Sequence, residues 1–213
     1  MVITYLGKSL IKIQVGDLVV AVNPYEKDGT KKGPKFGADI VLAGNQTADY
    51  GATDNMTYGN KVPFVALGPG EYDIAGVYIK GVLTEPEGES IKDKDHINTA
   101  YNVLIEGMHV CHLGAIQKGE LDPKVKEALG EVDILFVPIS GKDAVSAKDA
   151  HKLATALEPS IVIPVNHEGD KDKELKTFLK ELGEESVKGE VKAVLKKKDV
   201  DGKEGEVMVL LPQ

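Results

Sequence analysis

Leu121-Asp122-Pro123-Lys124-Val125-Lys126-Glu127-Ala128-Leu129-Gly130-Glu131-Val132-Asp133-Ile134-Leu135-Phe136-Val137-Pro138 is the stretch that decides the fold class. Asp122 can cap a helix, Pro123 fits its first turn, and Gly130 stops it after Leu129. The run Ile134–Pro138 has no polar alternation, which predicts a strand buried on both faces. A short helix feeding an apolar strand is the unit of an α/β layer. The unit recurs downstream. Ser146, with Asp149 three residues on, predicts a second helix start, and Ala147, Ala150, Ala154 and Leu157 mark one face. Pro159 ends that helix, and Ile161–Val165 is a second buried strand. A third helix is expected over about 172–182, striped by Leu175, Phe178, Leu179 and Leu182 and closed by Gly183. Strands at 191–195 and 207–211 finish the chain.

Upstream the texture is β-rich. Compact β-branched or alternating runs at 3–6, 10–15, 18–22, 39–43, 62–67, 77–82, 100–106 and 108–113 predict strands. Gly16-Asp17 and Glu106-Gly107 are placed as tight hairpin turns. Long Gly-rich loops are expected at 23–38, 44–60 and 84–98, and Gly68-Pro69-Gly70 is taken as a structural turn because no helix follows it. No solenoid period or low-complexity linker interrupts the pattern. Roughly a dozen strands and three late helices suggest two packed sheets with helices on the outer faces, in one domain spanning 1–213.

Composition narrows the function classes. Net charge is −8, and all 26 basic residues are lysine. Without arginine, the side chain best suited to gripping phosphate and reading guanine edges, a dedicated nucleic-acid binder is disfavoured. No apolar run approaches the roughly 18–20 residues of a membrane helix, and the first residues lack the pattern of a signal peptide. A lone cysteine, Cys111, suits a reducing cytoplasm and reads as core, since His112 beside it projects to the opposite face.

Several stretches taken in order resemble the small bacterial metal-dependent hydrolases of the metallo-β-lactamase superfamily, the group that includes ascorbate-6-phosphate lactonase-like proteins. They are Ile3-Thr4-Tyr5-Leu6-Gly7, Asn23-Pro24-Tyr25, Ala38-Asp39-Ile40-Val41-Leu42, Gly68-Pro69-Gly70-Glu71-Tyr72 with Gly76-Val77, Asn98-Thr99-Ala100-Tyr101, Cys111-His112-Leu113-Gly114, and Pro138-Ile139-Ser140-Gly141. The resemblance spans nearly the whole chain and implies a four-layer αββα sandwich, the metallo-β-lactamase fold.

It also implies where metal ligands should stand. In the family a His-x-His-x-Asp-His loop follows the second buried strand; here the same place reads Asn45-Gln46-Thr47-Ala48-Asp49-Tyr50. The family's mid-chain His-Asp falls near Thr84-Glu85-Pro86, its bridging aspartate at Ala115, and its last histidine at Asn166. Lys8 and Asn23 stand where a histidine and an aspartate are expected. Zinc selects imidazole, thiolate and carboxylate, so neutral amides in these places are poor donors.

Two functions follow as expectations. The first is a catalytically degenerate member without a metal or other cofactor, binding a small polar ligand or partnering a paralogous subunit. Its pocket would be built from Lys8, Asn23, Asn45, Thr47, Asp49, Tyr50, His112, Asn166 and His167. Asn23, Asn45 and Asn166 would converge there, with Asp49 as the lone acid and Lys8 as its counter-charge. The alternative is a metal-dependent hydrolase of lactones, phosphate esters or cyclic nucleotides that rebuilt its site from Asp49, His112, His167, Lys8 and Tyr50. His112 reads as a hydrogen-bonded structural histidine, and His167, next to Asn166 on a strand end, as pointing away from it. His96 and His109 are expected to be exposed, and His151 to sit on a helix without a partner at metal spacing.

Overall fold

The structure, a computed structural model, describes residues 1–29, 31–84, 97–141 and 144–213. Its strands in chain order begin with β1 (Val2–Tyr5), β2 (Ile11–Val15) and β3 (Leu18–Val22), then a small hairpin of β4 (Lys27–Asp28) and β5 (Lys31–Lys32). Next come β6 (Ile40–Leu42), β7 (Phe64–Ala66), β8 (Gly70–Ile74), β9 (Val77–Leu83), β10 (Thr99–Ile105) and β11 (Met108–His112). Helices α1 (Pro123–Leu129), α2 (Ala147–Leu157) and α3 (Lys173–Leu182) alternate with β12 (Ile134–Pro138) and β13 (Ile161–Val165), and β14 (Ala193–Val194) and β15 (Glu206–Val207) end the series.

Apart from the separate β4–β5 pair, they form two mixed sheets, ordered β14-β1-β2-β3-β6-β7 and β15-β13-β12-β11-β10-β9-β8. Between the sheets lies an apolar core to which the first contributes Ile3, Tyr5, Ile13 and Leu42, and the second Ile79, Val103, Phe136 and Ile163. All three α-helices pack on the outer face of the second sheet, where Val125, Leu153 and Phe178 meet Cys111, Leu135 and Val162. That double coverage is why β12 and β13 are buried along their full length. The outer face of the first sheet is covered differently. Among the described residues no α-helix lies there; Tyr25, Phe36, Ala38 and Met56, from a loop and a 3-10 turn (Thr53–Met56), form that layer.

Local signals act as the sequence implies. The Asp122 side chain accepts from the Lys124 N–H, Ser146 from Asp149, and Asp172 from both Glu174 and Leu175. Gly183 closes α3 in the left-handed region at φ +72°.

Three expectations change. The turn at 68–70 leads directly into β8, an edge strand whose Tyr72 and Ile74 pack against the core while Glu71 and Asp73 alternate outward. The last two strands shrink to two residues each, 193–194 and 206–207, at the far edges of the two sheets. The 23–38 loop holds the β4–β5 hairpin. The expectations for Glu85, Pro86 and His96 lie outside the described residues.

Candidate functional site

The loops after β1, β3, β6, β11 and β13 meet at one end of the sandwich, tied together by hydrogen bonds that cross between the sheets. Three residues there hold positive φ without being glycine: Lys8 (+49°), Asn23 (+55°) and Asn166 (+63°). Such backbone is costly for a side-chain-bearing residue and persists only where surrounding contacts enforce it.

The first polar cluster is buried. Asn23 Oδ1 accepts from Gly44 N at 2.8 Å, and its Nδ2 faces His112 Nδ1 at 3.2 Å. Gly114 N donates to the same Nδ1 at 2.9 Å, while His112 Nε2 lies 2.9 Å from the Ser9 carbonyl. A carbonyl only accepts, so Nε2 carries the proton and Nδ1 takes two donors as a lone pair. Burial pushes the His112 pKa down to about 4, partly opposed by the Ser9 carbonyl. The ring is neutral, stacked on Phe136, and both nitrogens are engaged. Asn98 completes the cluster: its Oδ1 accepts from Ala115 N at 2.7 Å, and its Nδ2 donates to Leu113 O and Thr84 Oγ1. These amides approach the backbone so closely that a Cβ at Gly44 would sit 2.9 Å from Asn23 Oδ1, and one at Gly114 would collide with Asn98 Oδ1.

The second cluster lines an open pocket of about 250 Å³. Lys8 Nζ reaches Asp49 Oδ1 at 2.6 Å and the Lys27 carbonyl at 2.9 Å, with Asp28 at 4.0 Å. This is the counter-charge expected for Asp49. Asn166 and Ser140 hold each other: Asn166 Nδ2 donates to Ser140 O at 3.1 Å, and Ser140 Oγ donates to Asn166 O. His167 accepts from Gly169 N at its Nδ1 and packs against the Tyr5 ring at 5.0 Å. The Tyr5 hydroxyl lies between the Lys8 and His167 carbonyls, and burial raises its pKa well above the ordinary phenol value, partly opposed by backbone hydrogen bonds.

Of the nine expected pocket residues, Lys8, Asp49, Tyr50, Asn166 and His167 line this pocket. Asn23 and His112 belong to the buried cluster. Asn45 accepts from Thr47 N and Oγ1 within its own turn. The expected convergence of Asn23, Asn45 and Asn166 therefore does not occur, because two of the amides are closed off by nearer partners. His167 also departs from its expectation: it lines the same pocket as Asn166. Strand alternation stops at Val165, and the positive φ of Asn166 turns the next side chain back. Asp28, Gly141 and Glu168 join the lining without having been singled out in the sequence. Glu168 adjoins a flagged histidine, but Asp28 carried no local signal.

Elsewhere, Cys111 is fully buried on the helix side, and burial pushes its thiol up to about 12. His109 is partly covered and faces Asn102 Oδ1 at 3.3 Å, and His151 lies on α2. A zinc-type ion needs several imidazole, thiolate or carboxylate donors around one point. Among the described residues no three His, Cys, Asp or Glu side chains come together in that way. His112 has no free nitrogen, His167 Nδ1 is engaged, and Asp49 holds an ammonium. The described donors do not fit such an ion. No helix among the described residues is long and apolar enough to cross a membrane.

Residues 2–166 match the model of the Beta-lactamase superfamily domain. A UPF0173 protein of Pyrococcus furiosus is 33% identical over 133 residues, covering 61% of this chain and only 55% of that relative's length. Its counterpart in Pyrococcus abyssi is 24% identical over 193 residues, 78% of this chain and 83% of the relative. A crystal structure from Thermotoga maritima, named as a candidate Zn-dependent hydrolase of the metallo-β-lactamase superfamily, superposes with a TM-score of 0.74 at 26% identity, covering 100% of this chain and 99% of its own. A candidate metal-dependent hydrolase from Parabacteroides distasonis, at 19% identity and TM-score 0.64 over 99% of this chain and 93% of its own, shares the fold.

Proposed function

The chain belongs to the β-lactamase superfamily, and from that premise we propose that it is a catalytically degenerate member that binds a small polar ligand in the inherited cleft. The observation that carries this reading is His112. It is a histidine at the loop end of the sandwich, yet both its nitrogens are taken by Ser9, Asn23 and Gly114, and it is neutral. Metal-dependent hydrolysis needs an ion that lowers the pKa of bound water, and the described donors do not suit one. The names of the Thermotoga and Parabacteroides neighbours favour hydrolysis in their own sites, which bears on this chain only through the shared fold. What supports binding is the second cluster, an open polar pocket with charged and amide side chains held in defined positions. A cytoplasmic location is part of the same proposal and rests on the single buried thiol.

The test is elemental analysis of protein purified without chelator or affinity metal, paired with thermal melting in EDTA. We expect sub-stoichiometric metal and an unchanged melting temperature, because direct hydrogen bonds already tie the loops. One zinc-type ion per chain, with melting lowered by several degrees on chelation, would replace this reading with the hydrolase.

A further inference from the structure

We infer that the cavity at the carboxyl end of α2 is a second ligand site, one that takes a small amphiphile whose apolar ring or chain ends in a primary ammonium. It lies at the start of β13, whereas the open pocket follows the other end of that strand, and it is independent of the function proposed there. Three observations converge.

The first is size and lining. The cavity holds about 480 Å³, against about 250 Å³ for the open pocket. Ala154 from α2, Leu182 from α3, and Pro159 and Val162 at the foot of β13 give it apolar walls. Cavities of roughly 300–1,000 Å³ with mostly apolar walls and a few polar groups are where small molecules bind.

The second is the helix end itself. The last turn of an α-helix carries carbonyls without intrahelical donors and a partial negative charge, which a nearby cation offsets. Helices α1 and α3 each place a lysine there, Lys126 and Lys180, but α2 has no basic residue in its last turn. The residue that follows α2 is Glu158, of the same sign as the helix end. Pro159 then has no N–H to give to the Thr155 carbonyl four residues back. Thr155 and Glu158 both line the cavity.

The third is the charge on the lining. Glu204 joins Glu158 there, and neither makes an ion pair among the described residues. Lys203, the one ammonium among the described lining residues, is held by Glu206 at 2.7 Å. An incoming carboxylate would meet two carboxylates and the negative end of a helix. An ammonium meets complementary charge while its apolar body fills the cavity.

The experiment is a titration of the full chain, followed by the backbone amides of Glu158 and Gly205 and the methyl resonances of Val162 and Leu182. The probes are 2-phenylethylamine, 2-phenylethanol as its uncharged analogue, 3-phenylpropionate as the opposite charge, and ethylamine as the charge without the ring, all at matched ionic strength. Phenylethylamine should saturate these shifts in the millimolar range and bind at least about tenfold tighter than the other three. Glu158→Lys, at an exposed position, supplies the missing cation from the chain itself and should weaken phenylethylamine at least about tenfold. Glu204→Gln should weaken it several-fold, and both variants should keep the remaining spectrum folded. Phenylethanol or phenylpropionate binding as tightly as the amine overturns the ammonium preference, and ethylamine doing so overturns the apolar cavity as its source. Amine binding unchanged in both variants overturns the inference, as does silence from all four probes.

Discussion

Two polar clusters meet at Lys8-Ser9 and differ in how closed they are to solvent. In the buried one every side-chain nitrogen and oxygen of Asn23, His112 and Asn98 is engaged by backbone, by Thr84 or by each other, while Ser9 Oγ and Thr99 Oγ1 beside them have no partner among the described residues. At the open one Lys8 holds Asp49 at 2.6 Å with Asp28 4.0 Å away, and Asn166 Nδ2 holds Ser140 O. Both arise from the same set of loops. Amides inside a closed network act as struts, whereas the Lys8–Asp49 pair at the open pocket stays in contact with solvent. Residue type alone does not separate the two roles; the partners do.

Substitution should expose the difference most strongly at glycines. Gly114→Ala would force a Cβ into Asn98 Oδ1 at a position with φ +66°, and we expect a loss of about 3–4 kcal/mol in urea unfolding. Gly141→Ala, at φ +115° beside the open pocket, meets nothing nearer than 3.5 Å. Strain alone should cost roughly half as much there. Equal losses at the two positions would erase the distinction between a closed and an open cluster.

Acid is the next lever. The neutral His112 has its pKa lowered from 6.5 to about 4, and none of its hydrogen-bond partners is charged. Between those values the unfolded chain binds the proton and the folded chain does not, so stability falls as pH drops below 6.5 and levels off below about 4. The full loss amounts to about 3 kcal/mol. Burial lowers the His167 pKa too, which adds to the same slope. Unfolding measured across this window should show the slope in the native chain and a shallower one in His112→Gln. A flat profile would mean that the imidazole is not held neutral.

The smallest effect belongs to the exposed pair. Asp49→Ala removes the Lys8 contact, and since Asp49 is 52% exposed the stability change should stay under about 1 kcal/mol. A larger loss would make the pair a strut rather than a rim feature.

Much of the fold was legible because its signals are local. Asp122, Ser146 and Asp172 cap helices within a few residues of themselves, and the apolar runs at 134–138 and 161–165 declare their burial. Even β8 carried its alternation, Glu71-Tyr72-Asp73-Ile74, beneath a turn that drew attention first. The site was legible only in part. The Lys8–Asp49 pair followed from placing both residues by family resemblance. Asn98 as a three-bond strut, and Asp28 in the pocket wall, depend on contacts across long stretches of chain that no local pattern encodes.

The unequal covering of the two sheets has a consequence for how the molecule breathes. Helices of seven to eleven residues shield the outer face of the second sheet, while among the described residues the far side of the first is held by a 3-10 turn and a few apolar loop side chains. Local opening follows the density of such anchoring. Backbone amides near Tyr25, Phe36 and Ala38 should therefore exchange with solvent well before those of 134–138. Asp28 lies three residues beyond Tyr25 on the same loop and lines the pocket, so one pocket wall adjoins the part of the protein that opens first, and a ligand closing on it would slow exchange there.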